Sequence, residues 1–158
     1  MKTTIKIATN EDIGILNRLN IEVQNFHNKI FPNRFKPHSI SNMNDIFEKF
    51  IKDKKSTIII IYNNITIPIG YIIYENKEYK ETGFTFWFKL LYIHHISVNK
   101  EYQGNGIWKK LIQIVIDKAK ELYITNIELD ARSKNCNAKD FFNNMWFEIY
   151  NEKMYLNI

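Results

Sequence analysis

Two glycines one residue apart, Gly104 and Gly106, stand between a β-branched run ending at Val98 and an amphipathic stretch opening at Ile107. A strand that feeds a glycine loop and then a helix is an anion site in principle. The first N–H groups of such a helix lack intrahelical partners, and glycine lets the backbone bend and approach a ligand closely. The residues that would grip an anion are Gln103, Gly104, Asn105, Gly106, Ile107, Trp108 and Lys109. Two glycines alone also suit an ordinary tight turn. The P-loop ending Gly-Lys-Ser/Thr is absent, and the third glycine of the dinucleotide fingerprint is replaced by Lys109. Just upstream, His94 and His95 form the second chemical feature. Imidazole exchanges a proton near neutrality, although paired strand histidines also read as ordinary hydrogen-bonding residues. Cys136, His27, His38 and the His94-His95 pair lack the spacing of a zinc site, so no metal is expected.

The elements around these residues follow from periodicity. Thr3 to Thr9 alternates as a strand does. Ile13, Leu16, Leu19 and Val23 recur at helical spacing in a helix expected to fade near Phe26 and His27. Ser41 to Lys52 reads as a second helix. Thr57 to Tyr62 and Thr66 to Tyr74 read as a hairpin around Asn63-Asn64, followed by a charged loop over 75–83. The aromatic and β-branched run Phe84 to Val98 becomes a strand in its second half. Ile107, Leu111, Ile114, Val115, Lys118, Ala119 and Leu122 mark an amphipathic helix. Ile127 to Ala131 reads as a strand and Ala138 to Met145 as a helix, with closing strands at Trp146 to Ile149 and Lys153 to Leu156.

The whole chain bounds the reading. Its 158 residues fit one domain, 1–158, large enough to bury roughly 70% of the unfolded surface. One cysteine excludes an intrachain disulfide and points to a reducing, cytoplasmic setting. Met1 to Thr9 carries no apolar leader core. The most apolar stretch, Thr57 to Tyr74, is short for a membrane span and is broken by Asn63-Asn64 and Pro68, so no membrane partner is expected. The net charge of +5 suits nucleic acid or a phosphorylated cofactor, but the basic residues are scattered rather than striped, which argues against nucleic acid.

The segment Val98-(x)4-Gln103-Gly104-Asn105-Gly106-Ile107 resembles the cofactor motif of the GNAT superfamily of acyl-CoA N-acyltransferases, Gln/Arg-x-x-Gly-x-Gly/Ala, with Trp108 departing at its last position. Asn135-x-x-Ala138-x-x-Phe141 resembles a second family segment, with Phe142 in place of a tyrosine and Trp146 in place of a glycine before Phe147. The order of elements also fits. The resemblance implies an α/β fold: a mixed, mostly antiparallel twisted sheet of about seven strands, splayed at its centre, with four helices. It implies acetyl-CoA as co-substrate and direct attack by a primary amine. Ile96, Ser97 and Val98 would pair with the pantetheine arm, and an N–H near Val98 would polarise the thioester. Asn135 and Phe142 would line the arm. His94 occupies the place, four residues before Val98, where the family often has a Glu base, and so becomes the candidate base. Phe26, His27 and Phe35 would flank the acceptor. Phe142 cannot protonate a thiolate, which leaves water, Tyr102 or Tyr150. The departures keep a second reading open, a catalytically silent acyl-CoA-binding regulatory module. Acceptor identity, small molecule or peptide, is open, as is a homodimer.

Overall fold

Four consecutive isoleucines, Ile58 to Ile61, are all buried, and they alternate between two separate cores. A strand reads this way only when both of its faces are covered. In a computed structural model, which describes residues 2–64 and 66–156, that strand is β2 (Ser56–Asn63). It lies between β1 (Thr3–Ile7) and β3 (Ile67–Tyr79) in one five-stranded sheet, which β4 (Phe88–Val98) and β5 (Asn126–Leu129) complete in sequence order. All pairings are antiparallel except the parallel β4–β5 pair. The helices α1 (Ile13–Ile30) and α2 (Ile40–Lys52) cover one face, packing Leu16, Leu19, Met43 and Phe47 onto Ile58, Ile60, Tyr71 and Ile73. On the other face, α3 (Ile107–Glu121) and α4 (Cys136–Asn144) pack Ile107, Leu111, Val115, Ala138 and Phe142 onto Ile59, Ile72, Leu91, Ile93 and Val98.

The expected seven strands are five among the described residues. Neither Trp146 to Ile149 nor Lys153 to Leu156 forms a strand. Trp146 takes a left-handed φ of 66°, a conformation that interrupts extended chain. The apolar side chains of Trp146, Ile149, Tyr150, Met154 and Leu156 lie exposed rather than paired, and Phe147 alone of this segment packs on the core. The charged loop expected from Glu75 is instead the continuation of β3 to Tyr79, paired from Glu75↔Tyr92 to Tyr79↔Phe88. Packing on β4 outweighs the low strand preference of Glu and Lys there. The first helix runs past His27 to Ile30 because the following connection folds back on it: Gln24 Nε2 donates to Lys36 O (2.7 Å), Asn28 Nδ2 to Phe35 O (2.6 Å) and His38 N to Asn25 Oδ1 (3.0 Å).

Two local features hold the sheet in the register the site needs. Gly70 on β3 faces Val98, and a methyl group added to it would lie 2.6 Å from Ser97 O. Gly70→Ala is therefore expected to lower stability by about 1–3 kcal/mol, as overpacking does; denaturant midpoints check it. At the other edge, Asp12 accepts from Lys6 Nζ (2.7 Å) and from Thr9 N (2.9 Å), tying β1 to the start of α1. Burial raises its pKa, but these bonds outweigh burial and leave it lowered. Its contribution to stability is thus present above the unfolded carboxylate value of about 3.9 and is lost as pH falls through the lower folded value. Asp12→Asn is expected to flatten that acid-side loss in a melting-temperature profile between roughly pH 2 and 5.

Candidate active site

The β4–β5 ladder ends at Ile93↔Leu129, whereas β4 continues to Val98. Five residues of β4 thus keep β3 on one edge and, among the described residues, no strand on the other. Which groups they expose there follows from one bond. Asn99 N donates to Ile69 O on the β3 side (2.9 Å), and N–H groups alternate edges along a strand. The N–H groups of Val98 and Ile96 consequently point to the open edge. Val98 O, on that same edge, accepts from Gln103 Nε2 (3.0 Å), so Gln103 closes the loop and leaves the Val98 N–H available. Ser97 points the other way, its hydroxyl donating to Leu19 O of α1 (2.9 Å).

The glycine loop takes up where β4 ends. Gly104 and Gly106 have φ of 78° and 73°, where a side chain costs roughly 1–2 kcal/mol. Gly106 is the N-cap of α3, with no side chain capping the helix start. The first helical bond runs from Lys110 N to Gly106 O (3.1 Å). Among the described residues, the N–H groups of Gly104, Asn105, Gly106, Ile107, Trp108 and Lys109 meet no protein acceptor. Asn105 instead turns its Nδ2 back to Tyr102 O and Gln103 O (both 3.3 Å). The result is a row of outward amides at the positive end of a helix dipole, suited to an anion such as a diphosphate. The Trp108 ring lies on Phe141 (centroids 5.2 Å apart, nearly perpendicular) between α3 and α4. Only its backbone N–H joins the amide row. Phe142 is buried beside Trp108, Phe141 and Phe147. Asn135 is the N-cap of α4, its Oδ1 accepting from Ala138 N (3.3 Å). Tyr150 is 90% exposed, and Tyr102 packs against the core beside the loop.

A β-bulge organises the opposite face. Ile73 pairs with His95 and Tyr74 with Ile93, so His94 is the extra residue. Its insertion turns both histidines toward α1 and α2, since a bulge breaks the strict alternation of a strand. The His94 ring lies 4.9 Å from that of Phe50 on α2, and His95 stacks on Tyr71 (5.4 Å, interplanar 5°) and lies 6.2 Å from His27 on α1. The two rings are bonded differently. Tyr71 Oη accepts from Asn20 Nδ2 (2.8 Å) and lies 2.8 Å from His95 Nδ1. The hydroxyl hydrogen is uncommitted by the Asn20 bond, so the Tyr71–His95 bond runs either way according to the imidazole tautomer. Burial, then electrostatic repulsion from the His27 and His94 rings, pushes the His95 pKa down to about 4. Burial holds the Tyr71 hydroxyl well above its ordinary value, so it stays protonated. His94 Nε2 lies 2.6 Å from Glu75 Oε2.

The structure brings Phe26, His27 and Phe35 together beside this pair: the His27 ring lies 6.2 Å from Phe26 and 5.2 Å from Phe35. Burial, with the nearby Arg132, lowers the His27 pKa, and the Arg132 guanidinium stands 5.1 Å over Phe35. Tyr92, also on this side, has its pKa raised to about 12 by burial and by Asp130. Sequence reasoning missed Glu75, Tyr71 and Asn20. The alternation Tyr71, Ile73, Glu75, Lys77 carried the signal for Glu75, because it continues one face of a strand into charged residues. Among the described residues no group of three or more His, Cys, Asp or Glu is placed to hold a metal ion, and no helix is long and apolar enough to cross a membrane.

Comparison with known proteins places this geometry. A family model described as the acetyltransferase (GNAT) family matches residues 2–146. The yeast (Saccharomyces cerevisiae) N-alpha-acetyltransferase 30 is 31% identical over 81 residues, which span 51% of this chain and 43% of that protein, less than half its length. Among solved structures, a tetramutant Bacillus halodurans protein superposes with a TM-score of 0.93 at 22% identity, covering 98% of this chain and 99% of that one. A predicted acetyltransferase from Clostridium acetobutylicum, solved with acetyl-CoA, gives 0.72 at 17% identity over 99% and 96%. The ribosomal-protein-alanine N-acetyltransferase of Brucella melitensis gives 0.69 at 15% identity over 99% and 100%. At these identities the structures share the fold.

Proposed function

The chain belongs to the GNAT acetyltransferase family, and on that premise we propose that residues 1–158 form one N-acetyltransferase domain that moves acetyl from acetyl-CoA to a primary amine of a small molecule or peptide by direct attack in a ternary complex. The observation that carries this reading is the meeting of two unsatisfied backbone edges: the outward N–H groups of Ile96 and Val98, and the amide row from Gly104 to Lys109. The first suits an extended amide-bearing arm, the second its diphosphate. The residues fit the cofactor: no side chain caps the helix start, and Gln103 occupies the Val98 carbonyl without touching its N–H.

Acetyl-CoA, when bound, supplies the thioester that the amine attacks. The chain's part is chiefly alignment, which can supply roughly 7–11 kcal/mol of a barrier. The Val98 N–H serves as oxyanion donor. Asn135, its Oδ1 spent on α4, offers its Nδ2 to the arm, and Phe142 forms an apolar wall behind it. His94 takes the ammonium proton. Phe26, His27 and Phe35 flank the acceptor. With Phe142 unable to donate, Tyr150 exposed and Tyr102 packed against the core, protonation of the thiolate falls to water; a thiol pKa near 8.5 makes this undemanding. Calorimetric titration with coenzyme A, followed by thiol release with acetyl-CoA and an amine panel, tests the proposal. Heat with thiol release supports it, and heat without release on any amine supports the silent binding module instead. No heat, with unmoved Gly104 and Gly106 resonances, overturns both.

A further inference from the structure

His94 and His95 are adjacent, face the same side of the sheet, and differ in what each is bonded to. The Nδ1 of His95 is occupied by Tyr71. The reverse holds at His94, whose Nε2 is the nitrogen engaged, by Glu75 at 2.6 Å. A carboxylate only accepts hydrogen bonds, so Nε2 carries a proton, and in the neutral ring Nδ1 holds the lone pair. Among the described residues, His94 Nδ1 has no hydrogen-bond partner and is not fully buried. His94 therefore keeps an unengaged imidazole nitrogen on this face, and a carboxylate from the neighbouring strand determines which nitrogen that is.

We infer that Glu75 is a positioning residue for acetyl transfer: it locks His94 as the Nε2–H tautomer, aims Nδ1 at the incoming amine and stabilises the imidazolium once Nδ1 has taken the proton. The inference rests on the reading of His94 as the base. The proton balance is closed: the ammonium N–H bond breaks, the Nδ1–H bond forms, and the charge passes to an imidazolium beside an anion. Glu75 takes up no proton in the step, its part being that of the orienting carboxylate in a nucleophile–His–carboxylate triad. The two side chains are a quarter exposed or less, at 25% for His94 and 22% for Glu75, so the pair is only partly screened by solvent. Its surroundings are defined on every side. Lys77 on β3 lies 3.9 Å from Glu75 Oε2, Asp53 at the end of α2 feels the His94 charge, Phe50 closes the α2 side, and Tyr92 and His95 flank it on β4.

Glu75→Gln tests the inference on the intact chain. The amide keeps size and hydrogen bonding but removes the anion, and its own N–H₂ can select the opposite tautomer. With acetyl-CoA and an accepted amine, kcat is expected to fall about tenfold at neutral pH. The amine KM is expected to stay near the parent value, because the lost anion stabilises the imidazolium formed in the step rather than the bound amine. Coenzyme A affinity and the melting temperature should hold, and Glu75→Asp should restore part of kcat. A Glu75→Gln enzyme with unchanged kcat, set against a His94→Ala enzyme that is inactive, overturns the role of Glu75 and leaves the base standing. Should His94→Ala itself retain full activity, both fall together.

Discussion

His94→Ala is expected to lower kcat/KM by about 10²–10³-fold with a lysine-type amine, within the range general-base catalysis supplies, while leaving coenzyme A affinity unchanged. The size follows from the amine. A lysine-like ammonium titrates near 10.4, so at pH 7 roughly one molecule in 2,500 is ready to attack, whereas an α-amino group near 7.7–8.0 is roughly one-tenth neutral or more. An enzyme that lacks its base must wait for the neutral form. The deficit should therefore be large for lysine-type acceptors and nearer tenfold for α-amines, and it should shrink as pH rises toward the amine's own pKa. Steady-state rates on one acceptor of each kind between pH 6 and 9 check this. A uniform loss across pH and acceptors would assign His94 to packing against Phe50 and Tyr92. No loss would mean that the amine reaches the site already deprotonated.

The contrast between the adjacent histidines explains why the sequence could nominate one of them and not justify the choice. Position relative to Val98 singled out His94. What separates the two rings chemically is the bulge opposite Ile73 and Tyr74 and three partners far away in sequence: Glu75, Tyr71 and Asn20. The alternation from Tyr71 to Lys77 hinted that Glu75 continues a strand face, but neither the bulge nor the pairing across strands is written in one sequence. The geometry of the glycine loop was far more legible. Glycine at 104 and 106 is a local requirement of left-handed backbone, and the helix after it is written in its own apolar periodicity. The same logic explains the misreadings. Glu75 to Tyr79 looks like a loop by composition, and only its register with Phe88 to Tyr92 makes it a strand. Trp146 to Ile149 looks like a strand by composition, yet Trp146 takes a left-handed conformation and no neighbour covers its ring. Local preference decided where the backbone geometry is itself local, and pairing decided elsewhere.

The loop can be tested separately from stability. Gly106→Val places a β-branched residue at φ 73°, where it is strongly disfavoured. No heavy atom lies within 4 Å of the added Cβ position, so the cost is conformational rather than steric, on the order of 1–2 kcal/mol. For a chain of this size that lowers the melting temperature by roughly 2–8 °C. The effect on binding should be larger. A return of residue 106 to negative φ rotates the peptide leading into Ile107 and removes at least one amide from the row. Hydrogen bonds to a charged group contribute about 1.5–3 kcal/mol each, so coenzyme A affinity is expected to fall roughly 10–100-fold. Gly14→Ala supplies the control. Gly14 lies inside α1 with open space around its Cβ position, and the exchange should stabilise the fold by about 1 kcal/mol without touching affinity. Calorimetry and thermal melts on the two variants then separate the quantities. If Gly106→Val binds coenzyme A as tightly as the parent while melting lower, the amides at the start of α3 do not hold the diphosphate, and the alignment of the thioester must come from the β4 edge alone.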